Sequence, residues 1–574
     1  MNPGSDSLRA IQATRELTRV LNLPRRTWEH NAEAFAWDLS QAIKRPDGAM
    51  ILRPIQAAAL CDAATVGGLV AAIRVGDGKT LIGFLLAYVM RSRRPLLLTR
   101  ANLIDKTKRE MRELAAHWPI PNFIRIVSYD LLSRANHAKL LTDYQPDLII
   151  ADEGHRLKNP KAAVTRRVAR YMSEVPQTAF VVMSGTITKR SLRDYAHLLV
   201  WALKPQNAPV PVSFSEIEDW SEVLDERPNK GERQVTPGAL LSFCTSEERL
   251  ERDQITAVRK AYQRRLTQTP GVIASSGQGV DCSLTIQAVE VSVSRQVDEA
   301  FQVLRDTWTT PDGWPISDPM TLWRHARELA MGFYYKWDPR PPDSWLQPRK
   351  AWAQMCRHIL ANNRRNLDSE LQVLNAVDQG LYPDATPLLQ AWRQVKPTFI
   401  PNTVPVWIDD SVIDAAAVWA AQAPGIVWCE HVGFAERLAW KTNLAYYGRE
   451  GKDRHGRPIE SHPADQSLIA SEASNAEGRN LQAWCRNLLT SCPTSGIKIE
   501  QQLGRTHRPG QLADEVTADI FVTSVEHVLA FEQARRDARY QEQITGQPQK
   551  LNFADIVFPS LEEVLSKGGP RWNK

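Results

Sequence analysis

Short apolar runs alternate with longer polar stretches between about residue 50 and residue 205. The runs have five or six residues, which suits strands buried on both faces, and the stretches between them have helical periodicity. This alternation predicts a parallel sheet with helices on both sides. The predicted strands are 69–74, 95–99, 123–128, 147–151 and 179–183, and the clearest predicted helices are 80–91 and 103–117.

The alternation stops after residue 205 and returns near residue 420. Prolines and mixed charge indicate a linker or surface segment at first, and helical periodicity follows over 296–420, with nine of the 18 tryptophans. Because large aromatic side chains dominate buried area, we interpret most of these tryptophans as core residues; a base-stacking platform is the alternative. The predicted strands of the second α/β unit are 425–429, 444–447, 467–471 and 520–523.

Composition narrows the class of protein. The 574 residues are 43% hydrophobic and 24% charged, which is typical of folded domains and excludes wholesale disorder. The densest apolar stretch, 81–90, is too short for a membrane helix, which needs about 20 residues. The N-terminus has no signal peptide, and the seven scattered cysteines form no CxxC pair, so we expect a cytoplasmic protein without structural zinc.

Charge gives a weaker indication. The net charge of +6 is small, but residues 91–112 carry eight basic side chains against two acidic ones. This cluster is either a solvated helical face or a surface that contacts a phosphate backbone.

The sequence VGDGKT at 75–80 follows a predicted strand and precedes a predicted helix. Gly76 and Gly78, on either side of Asp77, would let backbone N–H groups approach phosphate oxygens, and Lys79 and Thr80 would supply an ammonium and a Mg²⁺-binding hydroxyl. Ile73 replaces a glycine of the full phosphate-loop pattern, and a plain strand-to-helix turn is the alternative.

A second candidate site is DLIIADEGH at 147–155, where an apolar strand ends at Asp152 and Glu153. Ligands of parallel α/β sheets bind at the carboxyl ends of the strands. Asp152 can hold hydrated Mg²⁺ and Glu153 can orient and deprotonate a water. An acidic turn after a strand is the alternative, but the two motifs together indicate nucleotide hydrolysis.

Five motifs follow one another along the chain: LRPIQ (52–56), VGDGKT (75–80), DEGH (152–155), SGT (184–186) and QQLGRTHRPGQ (501–511). Their order resembles that in Swi/Snf-type superfamily 2 helicases. The last motif is the most specific, because it matches the pattern QxxGRxxRxGQ of that group. Shorter similarities occur at 126–134, 264–266, 284–293, 425–438 and 471–482, the last with departures at Ala473, Asn475 and Ala476.

The resemblance implies a role for each matching residue. Arg53 and Gln56 would bind adenine, and Gly76, Asp77, Gly78, Lys79 and Thr80 would bind the phosphates of ATP, with Thr80 and Asp152 on Mg²⁺. Lys79, Asp152, Glu153, Arg505 and Arg508 would be catalytic, the two arginines acting as arginine fingers. His155, Ser184, Thr186 and Gln501 would link hydrolysis to motion, and Arg100, Ser128, Tyr129 and Asn480 would contact nucleic acid.

The resemblance also implies two RecA-like lobes in tandem, with ATP between them. The predicted organisation is an N-terminal helical segment (1–48), lobe 1 (49–205), a linker and brace (206–295), a helical insertion (296–420), lobe 2 (421–540) and a tail (541–574). We expect an ATP-dependent translocase on double-stranded DNA, from a bacterium or a phage-infected cell and associated with the nucleoid. A strand-separating DNA or RNA helicase and a non-catalytic nucleic-acid-binding scaffold are the alternatives. A protein partner would bind at 296–420, and no membrane is involved.

Overall fold

The computed structural model describes residues 9–26, 33–74, 76–185, 191–225, 235–275, 280, 282–307, 309–313, 319–362, 367 and 370–566. The chain divides into two compact units. The first comprises Met1–Gly279 and Arg536–Gln549, and the second comprises Val280–Arg535 and Lys550–Lys574.

The first unit is built on a six-stranded sheet with the order β4-β3-β5-β6-β2-β8, in which every neighbouring pair is parallel. A separate two-residue parallel pair joins β1 and β7. The strands are β1 (Arg9–Ala10), β2 (Leu69–Ala72), β3 (Pro95–Thr99), β4 (Arg125–Ser128), β5 (Leu148–Asp152), β6 (Ala179–Ser184), β7 (Val235–Thr236) and β8 (Val272–Ala274).

Helices cover both faces of this sheet. Along each strand, alternate side chains enter two different apolar clusters: Leu96 and Ile149 lie in one, and Leu97 and Ile150 lie in the other. Burial on both faces explains why these strands are continuous apolar runs. The helices are α1 (Arg15–Leu21), α2 (Glu33–Ile43), α3 (Pro54–Val66), α4 (Lys79–Val89), α5 (Ile104–Leu114), α6 (Tyr129–Ser133), α7 (Leu140–Tyr144), α8 (Ala163–Glu174), α9 (Ala196–Asn207), α10 (Phe214–Leu224) and α11 (Gln254–Thr267).

The second unit contains a seven-stranded parallel sheet with the order β13-β14-β12-β15-β16-β9-β17, and a separate antiparallel pair, β10 with β11. The strands are β9 (Ser283–Glu290), β10 (Phe333–Trp337), β11 (Thr403–Trp407), β12 (Ile426–Cys429), β13 (Tyr446–Tyr447), β14 (Leu468–Ser471), β15 (Arg486–Leu489), β16 (Glu515–Val522) and β17 (Asp555–Val557).

Six of the second unit's helices lie between β9 and β12, and the others follow. They are α12 (Arg295–Thr307), α13 (Pro319–Leu329), α14 (Asp343–Asn362), α15 (Glu370–Asp378), α16 (Thr386–Val395), α17 (Ser411–Gln422), α18 (Val432–Thr442), α19 (Glu472–Asn475), α20 (Gly496–Leu503), α21 (Val525–Thr545), α22 (Lys550–Phe553) and α23 (Leu561–Ser566). From residue 536 onward, α21 belongs to the first unit.

The predicted α/β class with parallel sheets is confirmed. Strands β8 and β9 come from the segment that we expected to be a linker and brace, and the mostly helical segment 296–420 also contains the β10–β11 pair. The predicted domain boundaries remain predictions. Among the described residues, no helix has both the length and the apolar character needed to cross a membrane.

Most of the tryptophans that we interpreted as core residues and that the structure describes are at least partly buried. Trp345, Trp352 and Trp392 are 3%, 2% and 9% exposed and share one apolar cluster. Trp308 and Trp314 lie outside the described residues.

Candidate functional site

The candidate site of the first unit lies at the carboxyl edge of its sheet. Because all six strands are parallel, the loops that follow β2, β5 and β6 emerge at the same edge. The loop after β2 is the predicted phosphate loop, β5 ends at Asp152, and β6 ends at Ser184. The topology therefore brings together three motifs that are distant in the sequence.

The phosphate loop has the backbone conformation that its glycines permit. Gly76 and Gly78 have φ angles of +98° and +78°, in the region that side chains other than glycine rarely adopt. Gly78 is the N-cap of α4, so the N-terminus of that helix faces the loop. A Cβ atom on Gly78 would lie 2.1 Å from Nε2 of Gln56. A side chain at position 78 would therefore have to displace Gln56 and adopt a φ that residues other than glycine rarely adopt.

Asp77 fixes the loop from inside. Its side chain is buried, and its Oδ2 accepts hydrogen bonds from the Ser275 hydroxyl at 2.9 Å and from Nε of Arg74 at 3.2 Å. The Ser275 hydroxyl also accepts a bond from the backbone N–H of Arg74, at 3.2 Å. The sequence analysis missed Ser275, which follows β8, because no local pattern connects a residue there with a loop about 200 positions earlier.

The two residues predicted to bind adenine contact the phosphate loop directly. Gln56 donates from Nε2 to the carbonyl of Asp77 at 3.1 Å and accepts from the backbone N–H of Arg53 at 2.9 Å. Arg53 donates from Nη1 to the carbonyl of Gly76 at 2.8 Å. A base bound by these two side chains would therefore lie beside the loop.

Lys79 and Glu153 are neighbours at this edge. The Lys79 ammonium lies 4.0 Å from Oε1 of Glu153 and donates to the carbonyls of Ile73 and Arg74 at 3.0 and 3.2 Å. Glu153 has a φ of +53°, a strained conformation for a side-chain-bearing residue, and such strain is frequent at functional sites. The lysine is held at the loop with a carboxylate beside it.

The pKa of the Asp152 carboxyl is raised from 3.8 to about 7. The largest cause is its removal from water, and the negative charge of Glu153 acts in the same direction, whereas the ammonium of Lys79 lowers the pKa. Two carboxyl groups and one ammonium thus share a small, poorly hydrated space. A divalent cation would relieve the repulsion between the carboxylates.

Thr80 lies in the first turn of α4, directly after Lys79. Its hydroxyl and the Asp152 carboxylate are oxygen donors, the ligand type that Mg²⁺ prefers. No group of three or more histidine, cysteine, aspartate or glutamate side chains that could hold a metal occurs in the described part of the chain. The donor set fits an ion that keeps most of its waters and binds a nucleotide phosphate as well.

His155 connects the acidic motif with β6. Its Nδ1 is hydrogen bonded to the Ser184 hydroxyl at 3.1 Å and lies 3.4 Å from Oε2 of Glu153. The carbonyl of Ser184 accepts from the backbone N–H of Ile73, which precedes the phosphate loop, at 3.2 Å. These contacts link the ends of three strands, and the predicted link between hydrolysis and motion stays a prediction. Thr186 lies outside the described residues.

The predicted nucleic-acid contacts of the first unit lie at the same edge. Arg100 directly follows β3. The Ser128 hydroxyl caps α6 by accepting from the backbone N–H of Leu131 at 3.0 Å. The buried Tyr129 donates its hydroxyl to the carbonyl of Asp152 at 2.6 Å. Ser128 and Tyr129 are therefore bonded within the unit, and contact with nucleic acid stays a prediction.

The predicted arginine fingers lie in the second unit, after α20. Arg505 is buried, and its guanidinium donates to the carbonyls of Gln501 at 2.9 Å and Arg479 at 3.3 Å. Arg508 is half-buried and donates to the Arg479 carbonyl at 3.2 Å and to Oδ1 of Asn480 at 2.7 Å. The structure thus places together four residues that the sequence analysis predicted for three different roles, and it joins them through Arg479.

The sequence analysis did not select Arg479, which lies within the shorter similarity at 471–482. The carbonyl of Arg479 accepts hydrogen bonds from Arg505 and Arg508, the two predicted arginine fingers. Its own guanidinium donates to the carbonyl of Glu450 and, at 3.3 Å, to Oε1 of Glu460. Arg479 is therefore the centre of a hydrogen-bonded cluster around the arginine motif. No local sequence pattern reveals this cluster.

Comparison with known proteins gives two distant similarities. The chain is 26% identical over 199 residues to the bifunctional helicase and thymine dioxygenase JBP2 of Trypanosoma cruzi (strain CL Brener), covering 28% of this chain and 18% of the relative. It is 35% identical over 65 residues to the transcriptional regulator ATRX homolog of Drosophila melanogaster, covering 11% of this chain and 5% of the relative.

These similarities point to a distant helicase-like relationship. The chain spans less than a fifth of the length of either relative. No family model matches the chain.

Proposed function

We propose that this protein is a nucleic-acid-stimulated ATP hydrolase that translocates on double-stranded DNA, as in the Swi/Snf-type helicases that it resembles. The observation that carries the proposal is the position of the Lys79 ammonium. It lies 4.0 Å from the Glu153 carboxylate and donates a hydrogen bond to the carbonyl of Ile73, which precedes the phosphate loop. A glycine-rich loop, a lysine and a water-activating carboxylate are the parts that nucleotide hydrolysis needs. The distant similarity to a helicase agrees with this chemistry.

In this proposal, each residue of the first unit has one task. Backbone N–H groups of the phosphate loop and the Lys79 ammonium hold the β- and γ-phosphates. The Thr80 hydroxyl and the Asp152 carboxylate would hold Mg²⁺, which would supply positive charge beside the phosphate oxygens. Glu153 would orient a water molecule and accept its proton as the water oxygen bonds to the γ-phosphorus and the bond from that phosphorus to the bridging oxygen breaks, releasing ADP and phosphate.

The second unit would supply the arginines. The two units would act as RecA-like lobes with ATP between them and with 296–420 as an insertion that a partner protein could contact. Arg508 is only half-buried, whereas Arg505 is buried, so Arg508 is the better placed finger. Arg505 is buried against backbone carbonyls and would position the motif instead.

Nucleic acid would cross both units, touching Arg100 and Asn480. Contacts to phosphates carry no sequence information, so binding should be independent of sequence and sensitive to salt. Hydrolysis by the first unit would then move these contacts along one strand.

The proposal is tested by measuring ATP hydrolysis with no nucleic acid, duplex DNA, single-stranded DNA, forked DNA and RNA. We expect stimulation that is strongest with duplex DNA, and no stimulation by any of them would refute the translocase. Unwinding of the forked substrate would identify a strand-separating helicase instead.

Replacing Glu153 by Gln should abolish turnover while ATP binding persists, because the amide cannot accept the proton of the water. The matched control is Glu174→Gln, which changes an exposed glutamate at the end of α8 and should leave turnover unchanged. Full activity of Glu153→Gln would remove Glu153 from the proposed role.

A further inference from the structure

An open groove lies along the outer edge of the second unit's sheet. Its volume is about 750 Å³, and it runs between the end of α18 and the loop that follows β13, the edge strand. The loop, residues 448–461, is here called the edge loop. None of the residues that the sequence analysis selected lines this groove.

The lining is rich in exposed positive charge. Two carboxylates, Glu436 and Asp453, also line the groove, and a third, Glu450, lies 3.2 Å from one of the ammonium groups. The cationic side chains of the lining, all exposed, are Arg449, Lys452, Arg454 and Arg457.

One of the two carboxylates that line the groove, Asp453, forms hydrogen bonds within the edge loop. Asp453 is only 9% exposed, and its carboxylate accepts from the backbone N–H groups of His455 at 2.9 Å and Arg457 at 2.8 Å. It also accepts from Nε of Arg457 at 2.8 Å, and Gly456 completes the turn with a φ of +80°. The backbone of the turn is thus fixed from inside while Arg449 and Arg454 are exposed, so little backbone conformational entropy would be lost when they bind.

The start of the edge loop is fixed as well. Gly451 has a φ of +70°, and a Cβ atom there would lie 2.0 Å from Nη2 of Arg479. The Arg479 guanidinium bonds to the Glu450 carbonyl and to the Glu460 side chain. Both ends of the basic segment are therefore anchored in the second unit.

An exposed aromatic ring lies beside these charges. Trp440, in α18, is 85% exposed, whereas Phe434 and Leu438 of the same helix are buried in the core. An indole in this position contributes little to the fold. Exposed aromatic rings beside cationic side chains are the arrangement that binds unpaired nucleic acid, because bases stack on the ring while phosphates pair with the cations.

We propose that this groove binds an unpaired segment of nucleic acid, with a base on Trp440 and phosphates on Arg449 and Arg454. The inference takes nucleic acid as the ligand class from the proposed function, but it adds a second site, for single strands, on the outer edge of the sheet. An acidic protein would need the cations alone, so the exposed indole favours nucleic acid.

The test is fluorescence anisotropy of a labelled oligothymidine of about 20 nucleotides, without ATP, between about 50 and 200 mM salt. We expect Trp440→Ala to weaken binding about 10-fold, and the double variant Arg449→Ala, Arg454→Ala to weaken it similarly. The double variant should also lower the slope of log affinity against log salt by about 1.4, because about 0.7 is lost per phosphate contact on a single strand.

Two controls match these variants. Trp440→Phe keeps an aromatic face and should bind within about 3-fold of the unchanged protein. Lys350→Ala removes an exposed charge from α14 of the same unit and should leave the affinity unchanged. In addition, an oligonucleotide with 5-bromouracil should crosslink under ultraviolet light to the peptide that contains Trp440.

Unchanged affinity in both groove variants, or crosslinks only elsewhere, would overturn the proposal. Polyglutamate can be tested as a competitor of the labelled oligothymidine. If it displaces the label as well as unlabelled oligothymidine does, and Trp440→Ala does not change this, the groove binds an acidic protein instead. Since no ATP is present, loss of the groove and loss of the proposed hydrolysis are separate results: binding can follow these expectations even where no turnover is found.

Discussion

Burial of the Asp152 carboxyl group lowers the free energy of unfolding of the first unit, and a single substitution should reveal this cost. Its pKa in the folded protein is about 7, against an ordinary value of 3.8. The difference corresponds to about 4 kcal/mol, and since residue 152 as a whole is not fully buried, we expect about half of this, ~2 kcal/mol. Asp152→Asn removes the charge with little change of shape, so it should stabilise the first unit.

The sign of the effect depends on pH. Because the folded pKa lies above the unfolded one, the folded state retains a proton that the unfolded state loses, and stability falls as the pH rises from about 4 to about 7. The gain from Asp152→Asn should therefore be largest, ~2 kcal/mol, near pH 8 and less than half of that near pH 5.

Scanning calorimetry in EDTA without nucleotide measures this gain. For a unit of this size, ~2 kcal/mol corresponds to about 4 °C in the melting temperature near pH 8, against about 1–2 °C near pH 5. Asp143→Asn, an exposed aspartate in α7, is the matched control and should shift the melting temperature by less than about 1 °C at either pH. An Asp152→Asn variant that is less stable near pH 8, or equally stabilised at both pH values, would refute the electrostatic argument.

Two further substitutions test the loop and the arginine motif. Gly78→Ala should abolish ATP binding in a calorimetric titration, because the added Cβ atom would lie 2.1 Å from Nε2 of Gln56. Gly67→Ala is the control and should bind ATP normally, since Gly67 has a similar φ but a Cβ atom there would have nothing within 4 Å. Equal ATP binding by both variants would contradict the loop geometry. Arg505→Ala should lower the melting temperature of the second unit by several degrees, because two backbone carbonyls lose a buried donor worth about 1–3 kcal/mol, and an unchanged melting temperature would show that Arg505 has no structural role.

Five of the six strands described in the first sheet could be predicted, because burial on both faces makes them apolar runs; β8, with only three residues, could not. Strands β9 and β15 could not be predicted either, because β9 mixes buried and exposed residues and β15 begins with the polar residues Arg486 and Asn487. At the site, Lys79, Asp152 and Glu153 could be placed together, since parallel strands end at one edge. Ser275 and Arg479 could not, because their roles arise from contacts between distant segments that no local pattern encodes.

The sequence also could not predict which of the selected side chains are buried. The motif at 501–511 contains two arginines of equal standing, but only Arg508 is partly exposed. Burial of Arg505 against carbonyls depends on how α20 packs, which the motif alone does not specify.

The central claim is that the lysine and carboxylates of the first unit and an arginine of the second act on one ATP molecule. Its most direct test is the rate of ATP hydrolysis, with duplex DNA present, of the unchanged protein and of Arg508→Ala, alongside the affinity of both for ATP. We predict a loss of turnover of about 10³-fold or more in Arg508→Ala with little change in affinity. Equal rates in the two proteins would contradict the claim.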